Sequence, residues 1–421
     1  DSGFGQAKLY TTYGVATGDQ FGASVTYIGD VNHDGIDDFA VGAPSYDQPF
    51  NNAGMVRIHS GANGAIIRVH TGTAAGQYLG AVLDGGRDIN ADGTPDYIIG
   101  APSANNGDGL VRLYSGSTGT QLFVFRGQTG QKNRVGESVA LIDDWDGDGN
   151  PDFAFGAPWY GDLLKPKKGR LYILSGVGYG LLFGSVGTAS YNNLGSALAS
   201  VGDLDLDGKS DLLVGAPGKA AGEAYIYKGG TGSKLFTYYG SINGGLFGSA
   251  VSPVGDVNQD GYPDVVIGAY KDNDDGFKSG RVTVFSGIDA SILVRHTGGL
   301  PKFEFGKSIR GGMDVDSDGI SDYIVGAPAA SDNTLFGKAV VFSGATGKAL
   351  HTFKGQEPDD YFGQSVDLRG MVNADSYADI IVGALEGSDA TLPDTGSVSV
   401  FNGPHPSTFA AWMVPGILNK N

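Results

Sequence analysis

The chain has 421 residues, a formal net charge of −18 and no cysteine. This acidity argues against a nucleic-acid partner, because phosphate binding needs a basic surface. The absence of cysteine excludes disulfides and thiolate metal sites. No apolar run reaches the roughly 20 residues that a membrane span needs. Glycine contributes 72 residues, which favours a fold rich in tight turns over one built from long helices.

One unit repeats along the chain at intervals of 53 to 59 residues. The first unit opens with Phe21-Gly22 and continues into a short apolar strand. An Asp-rich loop follows, and then a second strand that ends in Gly-Ala-Pro. After a loop of variable length come a third strand, a Gly-rich turn and a fourth strand. Four strands per unit and seven units predict an all-β fold, a seven-bladed β-propeller of four-stranded antiparallel blades.

The Asp-rich loop places oxygen-bearing side chains at positions 1, 3, 5 and 9, with glycine at position 6. Hard oxygen ligands in a short loop suit Ca²⁺, which takes six to eight of them, and glycine permits the sharp reversal. The residue at position 7 would contribute only its backbone carbonyl. The loop differs from an EF-hand, because position 12 falls in a β-rich run where the EF-hand has a bidentate Glu.

Six intact loops predict about six Ca²⁺ ions, each held between strands 1 and 2 of a blade. The predicted ligands, loop by loop, are Asp30, Asn32, Asp34, Ile36 and Asp38; Asp88, Asn90, Asp92, Thr94 and Asp96; Asp144, Asp146, Asp148, Asn150 and Asp152; Asp203, Asp205, Asp207, Lys209 and Asp211; Asp256, Asn258, Asp260, Tyr262 and Asp264; and Asp314, Asp316, Asp318, Ile320 and Asp322.

A seventh copy of the loop is degenerate. It keeps Asn373, Asp375 and Asp379 but has Met371 at position 1 and Ser376 in place of the turn glycine. We expect this loop to bind no ion, or to bind one only weakly.

The Phe-Gly opening, the Asp-rich loop and Gly-Ala-Pro together resemble the FG-GAP repeats of the integrin α-subunit β-propeller, over residues 7 to 402. The resemblance implies that the calcium loops lie on the lower face. It also implies that ligands meet the upper face, which the 2–3 and 4–1 loops form. Six calcium loops and no cysteine differ from the usual animal integrin. We therefore expect a free-standing or prokaryotic relative, for which no integrin β-subunit is assumed as partner.

The two ends of the repeat array differ from its middle. Residues 8–13 match the pattern of a fourth strand but precede the first unit, and the last unit stops after its third strand. We therefore expect a propeller domain over residues 1–403, in which the N-terminal strand completes blade seven, and a C-terminal tail over 404–421. The alternative uses residues 409–413 as the closing strand.

Aromatic residues in the variable upper loops are the candidate ligand-binding residues, because exposed Trp and Tyr often anchor interfaces. They are Trp159 and Tyr160 in blade three, Tyr46 and Phe50 in blade one, and Tyr270 in blade five. The alternative is that these rings simply pack on the rim of the propeller.

These features favour a calcium-stabilised recognition or adhesion module, secreted or at a cell surface, that binds a protein or a glycan. One alternative is a propeller enzyme that acts on polysaccharides or esters. It is less favoured, because no histidine cluster marks a catalytic site. A second alternative is a structural spacer domain of a larger surface protein.

Overall fold

A computed structural model describes residues 8–329, 335–373, 377–388 and 393–403. These residues form seven antiparallel sheets of four strands, which confirms the predicted seven-bladed propeller. The strands, blade by blade, are β2 (Ser24–Gly29), β3 (Asp38–Ala43), β4 (Met55–His59) and β5 (Ile66–Thr71); β6 (Val82–Arg87), β7 (Asp96–Ala101), β8 (Leu110–Tyr114) and β9 (Gln121–Arg126); β10 (Val139–Ile142), β11 (Asp152–Ala157), β12 (Arg170–Leu174) and β13 (Leu181–Val186); β14 (Ala197–Gly202), β15 (Asp211–Ala216), β16 (Glu223–Tyr227) and β17 (Lys234–Tyr239); β18 (Ala250–Gly255), β19 (Asp264–Ala269), β20 (Arg281–Phe285) and β21 (Ile292–Thr297); β22 (Ser308–Met313), β23 (Asp322–Ala327), β24 (Phe336–Phe342) and β25 (Ala349–Pro358); and β26 (Ser365–Gly370), β27 (Asp379–Ala384) and β28 (Ser397–Phe401), with β1 (Lys8–Tyr13) as the fourth strand.

The blades form a closed ring. The first strand of each blade contacts the first strand of the next, and β26 of the last blade contacts β2 of the first. Every second strand is buried along its whole length, whereas the fourth strands are largely half-buried or exposed. The first strands therefore surround the central axis, and the fourth strands form the outer edge.

Glycine explains the tight contact between neighbouring blades. A Cβ on Gly42, in the Gly-Ala-Pro segment of blade one, would lie 1.9 Å from the carbonyl oxygen of Gly80, in the opening pair of blade two. No side chain fits at that distance. The large residues that precede the opening glycines, such as Phe21 and Leu79, are fully buried. The two motifs that mark the repeat therefore form the junction between blades.

The seventh sheet takes its outer strand from the N-terminus. Strand β1 runs antiparallel to β28, with Thr11 opposite Ser399 and Tyr13 opposite Ser397. The hydroxyl oxygens of Thr11 and Ser399 lie 3.2 Å apart. The alternative closing segment, residues 409–413, lies outside the described residues.

Across the described parts of the chain there is a single helical turn, Ala104–Gly107. None of these residues forms a helix of the length and apolarity that a membrane crossing requires.

Candidate metal loops and upper-face loops

The carboxylate at position 9 of each intact loop is a buried anchor. In every case the backbone N–H of the residue at position 2 donates to its Oδ2 at 2.7–2.9 Å. The N–H of the glycine that follows the third strand donates to its Oδ1 at 2.8–3.1 Å. One carboxylate thus ties the Asp-rich loop to the hairpin between strands 3 and 4. These anchors are Asp38, Asp96, Asp152, Asp211, Asp264 and Asp322.

Burial changes the ionisation of these anchors. Desolvation raises the pKa of Asp38 to about 6 and that of Asp322 to about 7, although the backbone N–H donors act in the opposite direction. The other four anchors also have a pKa raised to about 6 by burial. The raised pKa means that burial disfavours the ionised form of these carboxylates. A cation bound nearby would stabilise that form.

The rest of the loop folds on its own carboxylates. The N–H of the glycine at position 6 donates to Oδ2 of position 1 at 2.6–2.8 Å. The N–H of position 7 donates to Oδ1 of position 5 at 2.8–3.0 Å. The six glycines at position 6 have φ between 86° and 92°, which is the reversal that the sequence predicted. Position 4 is also left-handed in all six loops, although five of these residues are not glycine, and the sequence pattern did not indicate this.

Four of the loops bring three carboxylates close enough to hold a divalent cation. In each group one oxygen per residue lies within 4.8 Å of the others. The groups are Asp88, Asp92 and Asp96; Asp144, Asp146 and Asp152; Asp203, Asp205 and Asp211; and Asp314, Asp316 and Asp322. All donors in these groups are hard oxygens on a short loop, which is the type of donor that calcium prefers. The loops that begin at Asp30 and Asp256 have the same internal hydrogen bonds at positions 1, 5 and 9.

The degenerate seventh loop keeps the anchor. Asp379 accepts the N–H of Val372 at 2.8 Å and that of Gly403 at 3.0 Å, as its counterparts do. Asp375 and Ser376 lie outside the described residues. The anchor therefore has a structural role even in the loop with the poorest ligand set.

The upper loop of blade three, between β11 and β12, carries two of the predicted binding residues. Trp159 is 39% exposed, and its ring centre lies 3.8 Å from Nζ of Lys167 and 4.9 Å from Cζ of Arg134. Tyr160 is half-buried and faces the Arg170 guanidinium at 5.2 Å. Both rings thus lie in a basic environment, although the chain as a whole is acidic.

The other predicted binding residues are not gathered at this loop. Phe50 is exposed, whereas Tyr46 packs partly against the core of blade one. Tyr270 is half-buried in blade five, with Nζ of Lys307 at 4.0 Å from its ring centre. Blades one, three and five are not neighbours in the ring, so the structure does not form one site from all five aromatic residues.

Besides the left-handed conformation at position 4, two features were not predicted from the sequence. The first is a pair of leucines at the tip of the blade-three loop, where Leu163 is fully exposed and Leu164 is 91% exposed. Oδ1 of Asp162 accepts the N–H groups of Leu164 and Lys165 at 2.9 and 2.7 Å, which closes the turn beneath these side chains. Two consecutive apolar residues in a variable loop were the available sequence indication.

The second is an ionic cluster at the central axis. Arg369 Nη2 lies 2.9 Å from Oδ2 of Asp367 and 3.1 Å from Oδ1 of Asp84. Arg310 approaches the carboxylate of Asp84 at 3.6 Å and that of Asp367 at 3.8 Å. Three of these residues, Asp84, Arg310 and Asp367, occupy the same position in the first strands of blades two, six and seven. A charged residue at the same position of three innermost strands was the sequence indication.

Comparisons with known proteins agree with this geometry. A family model described as FG-GAP-like repeat matches residues 203–267, and one described as FG-GAP repeat matches residues 21–59. Integrin alpha-6 of Gallus gallus is 30% identical over 233 residues, which is 52% of this chain and 21% of the relative. Integrin alpha-V of Gallus gallus is 32% identical over 237 residues, again 52% of this chain and 21% of the relative. Integrin alpha-11 of Homo sapiens is 38% identical over 153 residues, or 32% of this chain and 12% of the relative.

The chain spans about a fifth of the length of the integrin alpha-6 and alpha-V relatives. The match over residues 21–59 covers the first three strands of blade one and its Asp-rich loop, and the match over 203–267 runs from the Asp-rich loop of blade four into the second strand of blade five. Taken together, the seven blades, the two repeat matches and these relatives show that the chain is a β-propeller similar to that of integrin α-subunits, with FG-GAP repeats at the matched residues.

Proposed function

We propose that this chain is a calcium-stabilised recognition or adhesion module that works outside the cytosol, secreted or at a cell surface. It binds a protein or a glycan through its upper-face loops. The observation that carries the proposal is the blade-three loop, because an exposed tryptophan, two exposed leucines and several cations lie together there. Exposed apolar side chains of this size have a solvation cost that a partner would remove.

Calcium has a supporting role in this proposal. When bound, it would supply the positive charge that the anchors at position 9 and the carboxylates at positions 1 and 5 require, together with the aspartates that three loops have at position 3. The hydrogen bonds inside each loop already orient these carboxylates. The loops lie at the end of the blades opposite the 2–3 loops, so the metal would stiffen the scaffold without contacting the ligand.

The proposed location of the protein follows from the calcium affinity expected of these loops. Calcium modules outside the cell bind with Kd values of about 10⁻⁴ to 10⁻³ M, whereas the cytosol holds submicromolar calcium. Short exposed loops of this kind would be nearly empty in the cytosol and largely filled outside it.

The test is a binding assay with the described propeller on an array of purified extracellular-matrix proteins and glycans, in 1 mM Ca²⁺ and in excess chelator. We expect binding that the Trp159→Ala/Tyr160→Ala variant weakens at least tenfold. The Tyr239→Ala variant is the matched control, because Tyr239 is an exposed aromatic on the outer strand of blade four.

The outcomes separate the alternatives. Unchanged binding by the Trp159→Ala/Tyr160→Ala variant would place the site on other blades. Turnover of a polysaccharide or ester by the purified chain would favour the hypothesis of a propeller enzyme. The absence of both binding and turnover would favour the hypothesis of a structural spacer domain.

A further inference from the structure

The residue that follows the third strand of each blade lies beside the Asp-rich loop. In three blades its hydroxyl is 3.1–3.4 Å from Oδ2 of the carboxylate at position 5. Five blades have serine at this place, blade seven has asparagine, and blade four has lysine. These residues are Ser60, Ser115, Ser175, Lys228, Ser286, Ser343 and Asn402.

Lys228 enters the loop of its own blade. Its Nζ forms ion pairs with the carboxylates of Asp205 and Asp207, the latter at 2.9 Å. The side chains of Lys228, Asp205 and Asp207 are 24%, 26% and 29% exposed, so the pairs are partly shielded from water. The ammonium group thus pairs with two of the four side chains predicted to be calcium ligands in this loop, those at positions 3 and 5.

An ammonium at this place competes with a metal ion in two ways. It uses carboxylate oxygens that an ion would need, and its own charge repels a second cation a few ångströms away. No equivalent competition exists in the blades with serine, because a hydroxyl is neutral and short. Loop four shares with the other loops the hydrogen bonds made by the carboxylates at positions 1, 5 and 9. The five other intact loops also have a bond from the N–H of position 5 to Oδ1 of position 3, and loop four lacks it.

We propose that Lys228 is an internal cation that takes the place of calcium in blade four. Loop four stays free of calcium at concentrations that fill the other intact loops, and it keeps its fold without metal. This inference rests on the proposed calcium binding of the other loops. It changes the number of ions expected from about six to about five.

A further feature of loop four indicates that its ligand set would be complete without the lysine. Oδ1 of Asp205 is buried and has no hydrogen-bond partner among the described residues. Asp203, Asp205 and Asp211 still place oxygens within 4.8 Å of one another. Removal of the ammonium should therefore restore a complete site.

The test counts calcium per chain by equilibrium dialysis and elemental analysis, at rising free Ca²⁺, in wild type, Lys228→Ser and Lys228→Met. Serine restores the residue of five other blades, and methionine keeps length while removing charge. We expect both variants to bind one ion more than wild type at concentrations that saturate wild type. The reciprocal variant, Ser115→Lys, should bind one ion fewer, because Ser115 touches Asp92 in the loop of blade two.

Circular dichroism checks that each variant is folded, and anomalous diffraction from calcium-grown crystals assigns ions to loops. An ion in loop four of the wild type, or equal counts in all variants, overturns the inference and leaves the calcium proposal intact. A folded chain that binds no calcium in any loop overturns both.

Discussion

Single residues at the central axis show how an acidic chain uses buried charge. Asp367 is fully buried and forms ion pairs with Arg369 and Arg310. Burial alone would raise the pKa of Asp367, but the two guanidinium groups outweigh it and lower that pKa to about 2. Thr26 Oγ1 also donates to Asp367 at 3.1 Å, so this carboxylate connects blades one, six and seven.

The sign of its pH dependence follows from this shift. The pKa of Asp367 is below its ordinary value of 3.8, so its stabilising contribution is complete above that value and is lost as pH falls toward 2. The shift corresponds to about 2 kcal/mol, of which about half should be lost at pH 3.

We predict that Asp367→Asn destabilises the protein by about 3–5 kcal/mol at pH 7, because it removes the fully buried counter-charge of two partly buried guanidinium groups. The difference in the free energy of unfolding between this variant and wild type should decrease as the pH falls from 5 to 3. Thermal unfolding in chelator across this range measures it, since all variants share the same empty loops. Asp143→Asn is the control, because Asp143 is half-exposed and its ion pair with Arg87 should contribute at most about 1 kcal/mol. A difference that does not change with pH would contradict the assigned role of Asp367.

At the scale of elements, the ring closes where the two ends of the chain meet. Strand β1 supplies the edge that β28 would otherwise expose, and an open strand edge favours association. The parallel contact between Phe21 and Gly396 lies at the same junction. Closure therefore depends on residues nearly 390 positions apart in sequence.

We predict that cysteines at positions 11 and 399 form an intramolecular disulfide, because the native hydroxyls there are 3.2 Å apart and the chain has no other cysteine. The oxidised Thr11→Cys/Ser399→Cys variant should migrate faster on a non-reducing gel and unfold at a higher temperature than its reduced form. Thr11→Cys alone is the control for intermolecular disulfides. Monomeric protein without the crosslink, under conditions that oxidise exposed cysteines, would mean that β1 is not seated on β28. Deletion of residues 1–14 should correspondingly lower the melting temperature and promote aggregation.

The repeat explains which parts of this architecture were predictable. Blade number, strand order and the turn at position 6 follow from local spacing, because each unit folds on contacts within itself or with its neighbour. The pairing of β1 with β28 was predictable only because residues 8–13 match the pattern of a fourth strand. The axial cluster of Asp84, Arg310 and Asp367 was not predicted, since it depends on side chains from distant blades that meet only once the ring closes. The exposed leucines of blade three belong to a loop whose conformation no repeat specifies.

At the scale of the whole molecule, the acidic loops make the free energy of unfolding depend on the calcium concentration of the medium. Each intact loop holds three or four carboxylates that repel one another without a cation. A ligand that binds only the folded state stabilises it by RT ln(1 + [L]/Kd), which is about 1.4 kcal/mol per site at 1 mM calcium and a Kd of about 10⁻⁴ M. Five filled sites would then contribute roughly 7 kcal/mol, comparable with the net stability of a typical domain.

We therefore predict that excess chelator lowers the melting temperature by about 8 °C relative to 1 mM Ca²⁺, given an unfolding entropy that scales with chain length. Asp96→Asn, which removes one anchor charge in blade two but keeps most of its shape, should reduce this calcium-dependent shift by about a fifth. Asp47→Asn is the matched control, because Asp47 is an exposed acidic residue outside the intact loops. Magnesium at the same concentration should stabilise less, since it prefers a smaller octahedral site and retains its water. A shift under about 3 °C on chelation would mean that the loops do not depend on calcium for their fold, and the argument for action outside the cytosol would lose its physical basis.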